Sequence, residues 1–282
     1  MALNGTNILA LTLLISIPGV FPAHAAELKH RPQSATVQQV KKQQILFSHL
    51  VLQTISRDMP QGGSYSATPL DVERLAQRGV QWNSQLKSLV IHPGAATPTF
   101  CSAACYMVLL RSLQRWEVYA GQRLPHAAWQ ALDVQENQPD GIGAWGRANA
   151  NGPGLAKLVH DLKAGVNFSN LQLAQPGDFL KFFWTKEIGA QERGHLVVYL
   201  GTEKTNGVLH VKYWSANKPG GFGIKSTPLS RMHNLIFTRI TSPQNFARVH
   251  KMPEQDSWLR NMQQRSFSFD EVRRACNIVK TR

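Results

Sequence analysis

Cys101 and His195 are the two residues of this chain whose types and surroundings are best suited to chemistry. Cys101 opens an apolar stretch that is typical of a helix, and His195 opens a Val- and Leu-rich stretch that is typical of a strand. A cysteine attacks as the thiolate, and both a helix N-terminus and a neighbouring imidazole lower the pKa of a thiol. The pair therefore predicts nucleophilic catalysis by cysteine, with histidine as the base.

Cys105 is the competing nucleophile, since residues four apart share one face of a helix. It lies deeper in the predicted helix, where it would lose the help of the helix dipole, and we therefore prefer Cys101. The chain has three cysteines, and an odd number in an exported protein leaves at least one thiol free or in an intermolecular bond. Cys105 and Cys276 could pair and leave Cys101 free, or all three could be reduced. Their spacing does not match a zinc site.

The chain around these residues predicts helices first and antiparallel strands afterwards, the order of an α+β protein. Apolar spacing predicts helices over residues 37–57, 69–89, 101–119, 125–132 and 155–162. Strand-forming residues predict strands over 179–184, 195–200, 208–214 and 236–240. A capping box at Ser268 and Glu271 predicts a final helix that ends near Val279.

A segment rich in glycine and asparagine, residues 138–154, separates the cysteine from the strands. Such residues indicate tight turns, and loops of this kind often line binding clefts, although a purely structural loop explains them equally well. Trp145 within it could stack on a sugar or pack against a helix, and both interpretations stay open. We take Ser102, Trp145 and Trp214 as the candidate substrate-binding residues.

The first 25 residues contain no charged side chain apart from His24 when protonated. An apolar run ends before Ala23-His24-Ala25, which has the small-x-small pattern of a signal-peptide cleavage site. We expect cleavage after Ala25 and a periplasmic or secreted protein. A permanent anchor is the alternative, but the run is short for a span and is interrupted by prolines. No later segment predicts a transmembrane helix.

The formal net charge of the chain is +14 at pH 7. In an exported protein this charge favours anionic cell-envelope polymers or lipid headgroups as partners. Lysine and arginine are scattered, without a nucleic-acid-binding module, so nucleic acid is not expected. Solubility with weak attraction to polyanions explains the charge equally well. The oligomeric state stays open.

Two stretches resemble the second half of an NlpC/P60-type cysteine peptidase: Pro176-Gly177-Asp178-Phe179, and Gly194-His195-Leu196-Val197-Val198-Tyr199-Leu200-Gly201. In that family a Gly-Asp opens one strand and the catalytic histidine opens the next. Cys101-Ser102 before an apolar helix is similar to the Asp-Cys-Ser-Gly segment of the family, with Phe100 in place of the aspartate. Ala103 stands where glycine is common. The resemblance spans roughly residues 100–240.

The resemblance implies a papain-like core, in which the helix that bears the cysteine packs on an antiparallel sheet. It divides the chain into a signal peptide (1–25), an N-terminal helical extension (26–92), a catalytic domain (93–241) and a C-terminal helical tail (242–282). In such enzymes a third polar residue on the strand after the histidine orients the imidazole. We expect neither a cofactor nor a metal.

The candidates for this third residue are Asn217, Ser215 and His210. Antiparallel pairing is expected to place Tyr213 about opposite His195, with Ser215 and Asn217 further along the same face. We choose Asn217, because its amide oxygen can accept a hydrogen bond from the ring N–H, and keep Ser215 as the second choice. His210 is expected to be an ordinary sheet residue.

The implied reaction is attack of Cys101 on an amide or peptide bond, with peptidoglycan as the substrate. An inactive module that binds the cell wall, an acyltransferase or thioester hydrolase on the same fold, and a secreted toxin are the alternatives. Asp178 is expected to serve the turn at the start of its strand rather than the site.

Overall fold

The computed structural model describes residues 46–192 and 194–279 and confirms the expected α+β class. The predicted signal peptide and the first part of the predicted helix over 37–57 lie outside the described residues. Within the described ranges, no helix has the length and apolar character needed to cross a membrane.

The helices are α1 (Phe47–Asp58), α2 (Pro69–Arg74), α3 (Cys101–Ala120), α4 (His126–Ala131), α5 (Gly143–Asn149), α6 (Gly154–Asp161), α7 (Ser257–Arg260) and α8 (Phe269–Ala275). The strands are β1 (Val80–Asn83), β2 (Ser88–Ile91), β3 (Gly165–Phe168), β4 (Phe179–Phe183), β5 (Gly194–Thr205), β6 (Val208–Asn217), β7 (Gly221–Pro228), β8 (His233–Ile240) and β9 (Ile278–Val279). Strands β1 and β2 form a hairpin. The other seven form one sheet in the order β7-β6-β5-β4-β8-β3-β9, in which only the described pair β3–β9 is parallel.

Helix α3 is the central helix of the core, as its apolar sequence predicts. All residues from Ala103 to Leu110 are buried, and the helix packs against α1 and β5. Burial of each large aliphatic side chain contributes roughly 2 kcal/mol, so this helix is anchored firmly. The position of its first residue, Cys101, is therefore fixed by the core.

The predicted helix over 69–89 is wrong beyond its first part. Helix α2 starts with a capping box of Thr68 and Asp71, and a wide helical turn then ends at Gly79. The chain continues as the β1–β2 hairpin, in which Val80 pairs with Ile91. Val80 and Ile91 are buried while Leu86, expected on the inner face of a helix, is 65% exposed. The alternation of apolar residues in the two strands outweighs the helical spacing.

The β5–β6 hairpin has a different register from the one expected. Strand β5 continues to Thr205, and the turn is formed by Asn206 and Gly207, both at positive φ. Tyr213 therefore lies opposite Tyr199 and not opposite His195.

The segment after α1 and the last described strand both join the large sheet. Gly62 exchanges two backbone hydrogen bonds of 2.8 Å with Phe222 in β7, and β9 pairs with β3 at the opposite edge. The approach at Gly62 is so close that a Cβ on Gly221 would lie 2.4 Å from the Gly62 carbonyl oxygen. The segment before α2 is thereby held beside the start of β7.

The suggested disulfide between Cys105 and Cys276 is not formed, and all three cysteines are free. Cys105 lies in the hydrophobic cluster around α3, whereas Cys276 packs in a separate cluster with Phe183 and Val272.

Candidate active site

Cys101 is the first residue of α3 and is half-buried. The preceding residue, Phe100, has no side-chain oxygen to cap the helix, and the first N–H of this turn to find a backbone partner is that of Ala104. The N–H groups of Cys101, Ser102 and Ala103 have no hydrogen-bond partner among the described residues. These free donors and the helix dipole favour negative charge beside the sulfur.

The surroundings of the thiol favour the thiolate. Burial by itself raises the pKa of Cys101, but the charge of His195 and its hydrogen bond to the sulfur lower it. The charge of Lys181 and the backbone N–H of Leu196 add to this effect, and the pKa of Cys101 falls to about 6. At neutral pH the sulfur is therefore mostly a thiolate.

The imidazole of His195 is held between the sulfur and an amide. Nε2 of His195 lies 3.1 Å from Oδ1 of Asn217. Nδ2 of Asn217 donates to the carbonyl oxygens of Ser215 and Gly223, each at 2.9 Å, so that Oδ1 must face the ring. The proton of the neutral ring is thus placed on Nε2, which leaves Nδ1 for Cys101.

The other two candidates for the third residue are occupied elsewhere. The hydroxyl of Ser215 is completely buried and donates to the carbonyl oxygen of Leu196 at 2.8 Å. Nδ1 of His210 lies 3.0 Å from the carbonyl oxygen of Val208, far along the hairpin. Neither side chain hydrogen-bonds to His195.

Cys105 is placed differently from Cys101. Its side chain is fully buried, and its thiol donates to the carbonyl oxygen of Leu196 at 3.3 Å. Burial raises the pKa of Cys105 well above the usual value of a thiol, and the negative charge of Cys101 raises it further. Cys105 therefore stays protonated and out of reach of a substrate.

Tyr65 is a residue of the site that the sequence did not reveal. Its phenol hydrogen-bonds to the Cys101 sulfur. Burial, together with the charge and the hydrogen bond of that sulfur, raises the pKa of Tyr65, so that the O–H remains a donor. A parallel bridge to Thr99 holds the backbone of Tyr65 beside the start of α3, and Lys218 Nζ lies 5.2 Å from the ring centre.

A cavity of about 800 Å³ opens at the sulfur. This is within the range of pockets that hold ligands of a few residues. Its wall includes Tyr65, Cys101, Ser102, Asn149, Lys181 and Glu192. Lys181 and Glu192 form an ion pair whose side chains are 14% and 3% exposed, so the charge beside the thiolate is held in place.

Of the three candidate substrate-binding residues, Ser102 and Trp145 belong to the cavity wall and Trp214 does not. Trp145 is fully buried, with its ring centre 5.2 Å from that of Tyr106, because the predicted loop over 138–154 contains helix α5 and turns this side chain inward. Trp214 is also fully buried and stacks on Phe222 at 5.9 Å. Trp214 therefore packs in the core and does not line the cavity, whereas Trp145 is part of the cavity wall and stays a candidate for contact with a ligand.

Asp178 has a structural role in the turn before β4. Its buried carboxylate accepts hydrogen bonds from Nε and Nη2 of Arg239 at 2.8 and 2.7 Å, and from the backbone N–H of Gln175. It fixes the turn before β4 and does not contact Cys101 or His195 through a hydrogen bond.

The sulfur, the imidazole and the amide oxygen form one hydrogen-bonded chain, of which Cys101 is the member in the cavity wall. No protein-family model, curated protein or solved structure matches this protein. Among the residues that the structure describes, no three His, Cys, Asp or Glu side chains gather as metal ligands. The function is therefore argued from the geometry and charge of the site itself.

Proposed function

We propose that the protein is an exported cysteine hydrolase with a papain-like core of the NlpC/P60 type, which cleaves an amide bond in peptidoglycan. The observation that carries the proposal is the chain of side chains that runs from Cys101, in the cavity wall, to His195 and Asn217, with a pKa of about 6 for the thiol. A cysteine that merely fills a core is protonated, as Cys105 is, and has no imidazole beside it.

In the first half of the reaction, the Cys101 thiolate attacks the carbonyl carbon of the scissile amide. A bond from sulfur to carbon forms, and the carbonyl oxygen becomes an oxyanion that the free N–H groups of Cys101 and Ser102 stabilise. The imidazolium of His195 then gives its Nδ1 proton to the leaving nitrogen, and the carbon–nitrogen bond breaks. The product is a thioester on Cys101 and a free amine.

In the second half, His195 takes a proton from water through the same nitrogen, and the hydroxide attacks the thioester. The carbon–sulfur bond breaks, the thiolate returns, and the carboxylic acid leaves. Asn217 keeps the ring in one tautomer through both halves. The hydrogen bond from Tyr65 stabilises the thiolate in the resting enzyme.

Charge supports the choice of substrate. The net charge of +14 complements an anionic cell wall, and the predicted signal peptide would deliver the protein there. The cavity of about 800 Å³, with Cys101 in its wall, has room for part of a peptide stem.

The test is alkylation of the mature protein by iodoacetamide as a function of pH, followed by peptide mapping. We expect labelling of Cys101 with a midpoint near pH 6, and no labelling in Cys101→Ser. Digestion of purified peptidoglycan, with mass spectrometry of the released fragments, then identifies the bond. Labelling of Cys101 only near the pKa of a free thiol would reject an activated nucleophile and favour a module that only binds the cell wall.

A further inference from the structure

Asn149, the last residue of α5, lies beside the start of the helix that bears the nucleophile. Its side chain is half-buried and is part of the wall of the active-site cavity, together with Cys101 and Ser102. Oγ of Ser102 donates a hydrogen bond of 2.6 Å to Oδ1 of Asn149. Since Ser102 directly follows Cys101, this bond ties the amide to the first turn of α3.

The hydrogen bond from Ser102 engages the oxygen end of the Asn149 amide. An asparagine side chain has one acceptor oxygen and two N–H donors. Oδ1 is engaged by Ser102, and Nδ2 donates to none of the described residues. The N–H groups of Asn149 are therefore available to a ligand, and Asn149 lines the same cavity as Cys101 and Ser102, whose backbone N–H groups are also without a described partner.

We propose that Asn149 is a catalytic residue, which donates an Nδ2–H hydrogen bond to the oxyanion formed when Cys101 attacks a carbonyl. Ser102 is its positioning residue, since its hydroxyl engages the amide oxygen and leaves the N–H donors available. This inference rests on the proposed function and adds a side-chain donor to the backbone donors of α3. Preorganised donors of this kind act on the charge that develops in the transition state and less on the ground-state carbonyl.

The inference separates two reactions of the same sulfur. Acylation by p-nitrophenyl acetate passes through an oxyanion: the carbon–sulfur bond forms, the carbon–oxygen bond breaks, and p-nitrophenolate leaves. Alkylation by iodoacetamide displaces iodide at a saturated carbon, and no oxyanion develops. Asn149 should therefore affect the first reaction and not the second.

The experiment measures both rates for the mature wild type, Asn149→Ala, Asn149→Leu and Ser102→Ala, with Cys101→Ser as the blank. Leucine keeps the volume of asparagine without its donors, so that a loss shared by both Asn149 variants is not a packing defect. Asn245→Ala is the matched control, because Asn245 is half-buried outside the cavity and its Nδ2 donates to the Lys163 carbonyl oxygen. Thermal unfolding verifies that each variant is folded.

We expect acylation to fall on the order of 10²-fold in both Asn149 variants, with a smaller fall in Ser102→Ala and unchanged alkylation. Normal acylation in Asn149→Ala, with normal alkylation, overturns this inference alone. An equal fall in both reactions also overturns it, because Asn149 would then act on the thiol. A wild-type thiol that alkylates no faster than free cysteine at pH 6.5 overturns the proposed function, and the inference with it.

Discussion

Nε2 of His195 lies 3.1 Å from Oδ1 of Asn217, and the other end of that amide is tied to two backbone carbonyl oxygens. The amide group cannot rotate to exchange its oxygen and nitrogen without losing both of these hydrogen bonds. The orientation of the imidazole is thus fixed from the neighbouring strand β6, and its Nδ1 is kept for the sulfur.

Asn217→Ala should lower the turnover of the proposed substrate by about 10²-fold, since the ring is no longer held in the tautomer that general base catalysis needs. The midpoint of Cys101 alkylation should move to higher pH as the imidazole loses its orientation. Ser215→Ala is the control on the same strand. It removes the hydrogen bond to Leu196 and should lower the unfolding temperature without moving the alkylation midpoint. An unchanged turnover in Asn217→Ala would remove this residue from the mechanism.

Tyr65→Phe should raise the alkylation midpoint of Cys101 by about one pH unit. A hydrogen bond to a charged group contributes ~1.5 kcal/mol, which corresponds to about one pKa unit. The midpoint moves to higher pH because the thiolate is less stable without the phenol O–H, and a higher pH is then needed to form it. Tyr199→Phe, in the cluster around Phe237, is the control and should leave the midpoint in place. The same midpoint in both variants would show that Tyr65 does not stabilise the thiolate.

Asp178→Asn should destabilise the fold without changing the thiol. Removing one partner of a buried ion pair typically costs about 3 kcal/mol, because the remaining charge of Arg239 loses its counter-charge. Denaturant unfolding measures the loss, and Arg239→Gln with the double variant completes a double-mutant cycle. A fall in alkylation rate without a loss of stability would instead place Asp178 in the site.

Asp133→Asn should stabilise the protein at neutral pH but not near pH 4. Burial raises the pKa of Asp133 to about 6, opposed by a hydrogen bond from the Val134 backbone N–H. The native state therefore keeps the proton over the range from roughly pH 4 to 6, where the unfolded chain has lost it, and stability falls as the pH rises through this range. Asparagine has no charge to bury and still accepts from Val134. Unfolding temperatures at pH 4 and pH 7.5 test this, and an equal difference at both values would contradict it.

Local sequence signals predicted much of the fold. Helix α3 and strands β4, β5 and β6 have strong apolar patterns, and the capping box at Ser268 correctly marks the start of α8. The errors occur where two patterns compete. The stretch after α2 has apolar residues at both helical and alternating spacing. The pairing of Val80 with Ile91 stabilises the strands over the helix. The burial of Trp145 was not predicted either, because the glycine-rich sequence around it gives no clear sign of helix α5, which turns this side chain inward.

The residues of the candidate site likewise include some that local sequence patterns predict and some that they do not. Cys101 and His195 could be chosen because each opens an element with a clear pattern, and Asn217 because an amide oxygen suits an imidazole N–H. Tyr65 could not be found, since its place beside the sulfur depends on a bridge to Thr99 and on the pairing of Gly62 with Phe222. Asn149 gave no signal for the same reason: its partner, Ser102, is distant in the chain.

The pairing of Gly62 with Phe222 joins segments that are far apart in the sequence, and Tyr65 reaches the sulfur only when that pairing is made. Closing so long a loop costs chain entropy, and contacts of this range form late when a protein folds. His195 likewise comes to Cys101 only after the sheet has assembled. An unfolded or partly folded chain therefore carries an ordinary, weakly reactive thiol. The thiol therefore acquires its lowered pKa only in the folded protein.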